Sequence, residues 1–365
     1  MLTLCKFCNS ANNGHFTEGE CYLCGDKLLK IDELIDKAKE LVKDYPSFSV
    51  STRMPKKWLA REERLWDYHI EKAENIKTCL NRYINHELKR KTGKGFTMEG
   101  DVRVVFDIDK GEVSIELNDL FIFGRYRKLV MGISQTRWPC TECGGKGCKK
   151  CSNKGKMYYS LEEEIGEVMK KECKSDDYTL HASGREDIDV ITTAERPFVM
   201  ALAKAKNRVP DLKKIKKEIA DGKKVEVHDL KLVKRGAVEL VASSHFDKEY
   251  EAEVEFEKEP SKGQIDSILA LEGKNVEQKT PERVAHRRAN LIRKRKILGI
   301  KLLSKQGNKA KFRIKTEAGT YIKELINGDK ERTVPNFSSL SGMKAECANL
   351  EVVNIGDEFL RETIG

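Results

Sequence analysis

The spacing of hydrophobic positions changes along the chain, and each change marks a different kind of element. Ile31, Leu34, Ile35, Ala38, Leu41 and Val42 recur at three- and four-residue steps, with Pro46 just beyond them. That spacing predicts one apolar face of a helix, stopped by the proline. A second helical region is predicted from about Trp58 to Leu88, where Leu65, Trp66, Ile70, Ala73, Ile76, Leu80 and Ile84 form a packing stripe. The period then falls to two. Val102, Val104 and Phe106 alternate, Asp109-Lys110-Gly111 supplies a turn, and Val113, Ile115 and Leu117 alternate again, so a hairpin is expected. The continuous run Leu120-Phe121-Ile122-Phe123 predicts a buried strand. Ser160 with Glu163 three residues on makes a capping box, and Lys170-Lys171 suit the far end of that helix. From Lys311 to Ile355, strand-like segments alternate with turns.

Helices and strands interleaved in this way describe an α+β chain, and 365 residues suffice for two domains. The expected boundary lies just before the capped helix, giving domains 1–155 and 156–365. No apolar run reaches the length of a membrane span and no signal-peptide pattern opens the sequence, so a cytoplasmic protein with no membrane partner is expected.

Charge narrows the partners. The chain carries a formal net charge of +10, and an excess of one sign points to a polyanion. A Lys/Glu-rich thermophile surface would explain the 35% of charged residues but not the excess. Residues 204–224 hold nine Lys/Arg against three acids, with Pro210-Asp211 opening a basic helix. The densest run comprises Arg283, Arg287, Arg288, Arg293, Lys294, Arg295 and Lys296, begun by Thr280-Pro281 at a first-turn position and free of acids. So many cations repel one another unless phosphates or scattered carboxylates meet them, and phosphate binding is expected here. Arg125, Tyr126 and Lys128 form a smaller cluster in which an aromatic sits among cations. Stacking on a base and phosphate contact suit it, and so does a solvated strand end.

Eight of the eleven cysteines fall in C-x-x-C pairs. Cys5, Cys8, Cys21 and Cys24 have zinc-ribbon spacing, with Gly25 after the last; His15 between the pairs reads as a solvent residue. Cys140, Cys143, Cys148 and Cys151 are joined by Gly144-Gly145-Lys146-Gly147 and resemble compressed chaperone-type zinc-finger repeats, which makes a second structural zinc an expectation. Four thiolates close the coordination shell, so neither metal is expected to be catalytic. No H-x-E stands beside a C-x-x-C, which argues against a zinc deaminase. Cys79, Cys173 and Cys347 read as small core residues.

Chemistry concentrates in Ser183-Gly184-Arg185-Glu186-Asp187-Ile188-Asp189-Val190, followed by Arg196-Pro197-Phe198. A glycine turn here presents Arg185 and Asp187 on one side of the chain. On the residues alone, a turn held by a salt bridge is the simpler account. Downstream stand Lys248-Glu249-Tyr250-Glu251-Ala252 and Gly319-Thr320-Tyr321-Ile322-Lys323. The three strings, in this order, resemble the motifs of the archaeal-type tRNA pseudouridine(54/55) synthase family.

That resemblance implies a synthase domain built on a mixed, mainly antiparallel sheet with the site in a central cleft. A zinc-containing, THUMP-like α+β RNA-binding domain would precede it, with Arg125, Tyr126 and Lys128 contacting RNA. It implies an isomerase that turns uridine into pseudouridine in the TΨC loop of tRNA, at position 54, 55 or both, without a catalytic cofactor. Asp187 would be the catalytic carboxylate, with Asp189 its competitor on the same side. Lys323 would be its counter-charge, Tyr250 would stack on the uracil, and Tyr321 and Arg185 would contact the substrate. Arg196 would steady the loop or a phosphate. The partner would be tRNA, bound by a monomer. A non-catalytic zinc protein that binds RNA would explain the charge and the cysteines equally well, but not the three motifs in order.

Overall fold

The computed structural model describes residues 2–287 and 289–364, the side chains of His286 and Arg287 excepted. The expected RNA contact Arg288, and the side chain of Arg287, lie outside the described residues. The chain divides into two compact units, one formed by residues 1–120, 173–177 and 202–210, the other by the remainder.

In the first unit the helices Ile31–Leu41, Lys56–Trp66 and Ile76–Thr92 accompany a four-stranded sheet. Ser47–Arg53 runs parallel to Gly95–Phe96 on one side and to Val102–Asp107 on the other. The predicted hairpin is present, with Val104 opposite Ile115. Ile35, Leu80, Ile84, Leu88, Val104 and Phe106 share one buried core with the first four paired cysteines. The helix expected from Trp58 to Leu88 is in fact two. Asn75 starts the second, its Oδ1 accepting the N–H groups of Lys77 and Thr78. The break shifts the phase of the apolar stripe and leaves Trp66 51% exposed.

The second unit is built on a ten-stranded mixed sheet. Its strands run in the order Val225–Val233, Leu120–Lys128, Ile191–Ala203, Ala345–Ile355, Lys248–Phe256, Lys309–Thr316, Ile292–Gln306, Asn275–Lys279 and Thr333–Val334, with Asp177–Ala182 paired on Ile191–Ala203. Ile191–Ala203 and Ala345–Ile355 pair in parallel. The neighbours of Lys248–Phe256 and of Ile292–Gln306 are antiparallel. Phe256, Phe312 and Phe337 anchor the core. The capped helix Leu161–Cys173 forms as predicted, Glu163 accepting the N–H and hydroxyl of Ser160.

Two expectations shift. The observed division near residue 120 differs from the boundary expected at 155/156, because Leu120–Lys128 hydrogen-bonds along Val225–Val233 and so belongs to the second unit's sheet. The basic run is not one helix. Glu282–Arg287 is a short 3-10 turn, and Arg293 to Lys296 lie on a strand against Asn275–Lys279.

Candidate active site

The loop 183–190 connects the strands Asp177–Ala182 and Ile191–Ala203 and leads into a cavity of about 460 Å³. Gly184 permits the turn: its φ is +79°, and a Cβ there would come within 3.2 Å of the Arg196 guanidinium. Arg185, Asp187, Lys248, Tyr250, Arg283, Tyr321 and Lys323 line the same cavity. Asp187, Tyr250 and Tyr321, one from each motif and each more than sixty positions from the next, therefore meet in one place.

Glu186 and Asp187, adjacent in the loop, meet different partners. The Glu186 side chain is 1% exposed and lies 2.9 Å from Nε of the equally buried Arg196. The Tyr126 hydroxyl donates to both Glu186 oxygens, at 2.8 and 3.0 Å. The Asp187 side chain is 31% exposed and opens to the cavity. Arg283 reaches it at 2.7 Å and also binds Glu324 at 2.6 Å. Burial alone would weaken the charge of Arg283, but Glu324 and Asp187 together hold its pKa above the usual guanidinium value.

Lys323 divides differently from expectation. It donates to both oxygens of Asp189 at 2.6 Å and lies 3.8 Å from Asp187. Burial, the largest single influence, would push the Asp189 pKa up, but the bond and charge of Lys323 with the charge of Arg283 together outweigh it and the net shift is downward. The nearest cation to Asp187 is thus Arg283, a residue the sequence placed in the phosphate-binding run. No local pattern could have shown this, since Arg283 is brought in by the turn 282–287 and oriented by Glu324, 41 positions away.

Tyr250 stands on Lys248–Phe256 between Ile314 and Val352, and burial pushes its hydroxyl pKa up to about 12, against the opposing charge of Arg196. The backbone of Tyr321 is fixed by Gln278, which both donates to its carbonyl and accepts its N–H. Lys248 donates to the Phe246 carbonyl, and burial followed by the charge of Arg196 lowers its pKa to about 8. Arg185 is exposed at the cavity rim.

The smaller cationic cluster is a correction. Arg125, Tyr126 and Lys128, expected at an RNA surface, are 1%, 0% and 0% exposed. Arg125 binds Asp357 at 2.8 Å and Asp229 at 2.9 Å, and Lys128 donates to the carbonyls of Asp187 and Ile188. Arg125 Nε and Nη1 and the Lys128 ammonium thus find acceptors inside the unit, as a cation in an interior requires, while Arg125 Nη2 is buried without one.

Both cysteine sets converge. Cys5, Cys8, Cys21 and Cys24 bring their sulfurs within 4.8 Å of one another, as do Cys140, Cys143, Cys148 and Cys151. Sulfur–sulfur separations of 3.6 Å in the first set and 3.7–3.9 Å in the second are far from a disulfide's. They match the edge, about 3.8 Å, of a tetrahedron with zinc–sulfur bonds of about 2.3 Å. Backbone N–H groups of Gly147, Cys148 and Gly155 point at sulfurs of the second set. A side chain at Gly155 would strike the Gly145 carbonyl at 2.3 Å, so the knuckle closes only with glycine there. Either set fits a tetrahedral thiophilic ion. Cys173 is buried, as expected of a core residue, and Cys79 and Cys347 are half-buried.

Residues 121–356 match the family model described as "Pus10, C-terminal", and residues 32–107 match "Pus10 THUMP domain, archaeal". A protein of Korarchaeum cryptofilum named tRNA pseudouridine synthase Pus10 is 36% identical over 92% of this chain and 93% of its own. The protein of that name from Archaeoglobus fulgidus is 33% identical over 97% of this chain and all of its own. That from Methanothermobacter marburgensis is 39% identical over 93% and 87%. With a family model spanning the synthase-like unit and relatives spanning almost the whole length, the chain belongs to the Pus10 family.

Proposed function

We propose that this protein is a tRNA pseudouridine synthase that converts uridine to pseudouridine in the TΨC loop, at position 54, 55 or both, with the Asp187 carboxylate and no catalytic cofactor. The reading is carried by one observation: a single cavity gathers Asp187, two cations, two tyrosines and Arg185 from widely separated segments. Nothing is oxidised in the reaction and no group is carried in. The glycosidic N1–C1′ bond breaks, the uracil turns, and C5 joins C1′ as its proton leaves.

Asp187 acts at the junction of sugar and base, either attacking carbon or removing the C2′ proton. Arg283 and Lys323 place positive charge 2.7 and 3.8 Å from the Asp187 carboxylate. Tyr250 stacks on the extruded base, an interaction worth about 1–3 kcal/mol against the cost of unstacking. Tyr321 contacts the substrate, and Arg185 at the rim fills the space the base leaves. The cysteine sets hold structural zinc, and tRNA is bound by the monomer through the THUMP unit and the basic strand of the synthase unit.

The test is purified protein beside Asp187→Asn on unmodified tRNA transcript, with pseudouridine mapped at single-nucleotide resolution and no cofactor added. Pseudouridine at position 54 or 55 with the parent protein only is the expected result. If both proteins bind the tRNA and neither modifies it, the isomerase reading falls.

A further inference from the structure

We propose that Lys128, together with Gln135, is a positioning residue that fixes the Asp187 carboxylate by holding the backbone of the loop that carries it. The proposal rests on the reading of Asp187 given above. The loop 183–190 lies between two strands and needs other partners for its carbonyls. The backbone N–H groups of Gly132 and Val190 reach the carbonyls of Ile188 and Asp187, and buried side chains supply further donors. Lys128 Nζ donates to the carbonyls of Asp187 and Ile188, each at 3.0 Å. Gln135 Nε2 donates to the Gly184 carbonyl at 2.9 Å, and Arg196 to that of Ser183 at 2.8 Å. Gln135 also binds the Tyr126 hydroxyl, which in turn holds Glu186.

The cost of this arrangement argues for a role. Lys128 is fully buried, and burial lowers its pKa although Glu186, Asp189 and Asp187 oppose the shift. An interior ammonium is expensive to keep, and a shorter or neutral residue would serve a plain strand core better. What the long charged side chain achieves is contact with the Asp187 and Ile188 carbonyls, the two that follow the Asp187 Cα along the chain. Lys128 fixes the peptide plane that follows the Asp187 Cα, and Tyr126 and Arg196 hold Glu186 on its other side, so together they limit the direction in which the carboxylate leaves the backbone. A displacement of the order of 1 Å at a reacting group costs about 100-fold in rate.

Lys128→Met and Gln135→Met keep most of the side-chain volume and remove the donors. Each is compared with the parent protein on unmodified tRNA transcript, reading the single-turnover rate at saturating tRNA, the Kd for tRNA, and the folded fraction by near-ultraviolet circular dichroism. The expected result is a rate about 100-fold lower for Lys128→Met and about tenfold lower for Gln135→Met, with Kd within twofold. A merely structural role would lower the folded fraction and leave the rate per folded molecule unchanged, which overturns the proposal. So would a weakened Kd with the rate restored at saturation, since Lys128 would then act through RNA. If Lys128→Met does not fold, Gln135→Met decides by the same criteria. If the parent protein forms no pseudouridine, the reading of Asp187 falls and this proposal with it; if the parent is active and both variants keep its full rate, the proposal alone falls.

Discussion

Two strands of the second unit carry similar clusters of cations beside apolar residues, and the fold treats them in opposite ways. Leu120–Lys128 turns Arg125 and Lys128 into the interior, whereas Ile292–Gln306 leaves Lys294 and Lys296 exposed. Sequence reading assigns both clusters to nucleic acid. The difference lies in what distant segments bring to each. Asp229 and Asp357 meet Arg125, and loop carbonyls meet Lys128, so those charges are neutralised or solvated internally. Around Lys294 the carboxylate is Glu277 at 3.0 Å, itself 54% exposed. A basic cluster is therefore a surface only where the rest of the chain supplies no buried acceptors, and that is a property of topology rather than of local pattern.

The sharpest way to break the comparison is Arg125→Met. The change leaves Asp357, 2% exposed, with the half-exposed Arg361 as its remaining ion-pair partner among the described residues. Breaking a buried pair from one side typically costs about 3–5 kcal/mol, and the remaining arginine places this case near the lower figure. A chemical-denaturation midpoint checks it. The salt dependence of tRNA affinity should not change, and a lower slope with unchanged stability would return Arg125 to the RNA surface.

Lys248 extends the comparison to a cation buried beside another cation. Its pKa of about 8, lowered from 10.5 by burial and Arg196, means that between about pH 8 and 10.5 the unfolded chain holds a proton there that the folded chain lacks. Stability from this group therefore rises with pH across that window and is absent below it. Lys248→Met should remove the rise, worth at most about 3 kcal/mol by the size of the shift. Thermal unfolding measured from pH 7 to 10.5 on both proteins checks it; parallel curves would show that the amine stays solvated.

These cases also show what was legible. The hairpin 102–117, the capping box at Ser160 and the four C-x-x-C pairs were readable because short-range chemistry decides them: alternation, a reciprocal cap and thiol spacing. The motif residues Asp187, Tyr250, Tyr321 and Lys323 were readable from family resemblance, and they do share a cavity. The helix break at residues 67–75 was not, because it is set by the Asn75 cap and by Glu62 accepting the Ile76 N–H. The place of Arg283 beside Asp187 was missed for the same reason as the burial of Arg125. Its partners Asp187 and Glu324 lie 96 and 41 positions away, and no window of sequence contains them together.

The exposed strand gives the gentlest test. Lys294 and Lys296 alternate with Arg293 and Arg295, so the two lysines share one face and the two arginines the other. Arg295 packs close over Gly319, and Arg293 donates to Thr280, which places that face toward the protein. The lysine face is free to meet phosphate. Its internal partner is a surface ion pair, and such pairs contribute about 1 kcal/mol or less. Lys294→Ala with Lys296→Ala should therefore leave the denaturation midpoint almost unchanged. Loss of two phosphate contacts should lower the slope of log affinity against log salt by about 1.5, because each neutralised phosphate releases less than one counterion. Titration of tRNA across a salt series reads both numbers. An unchanged slope would mean that this strand, although exposed, is no more an RNA surface than the buried one, and exposure would then be insufficient as well as local pattern.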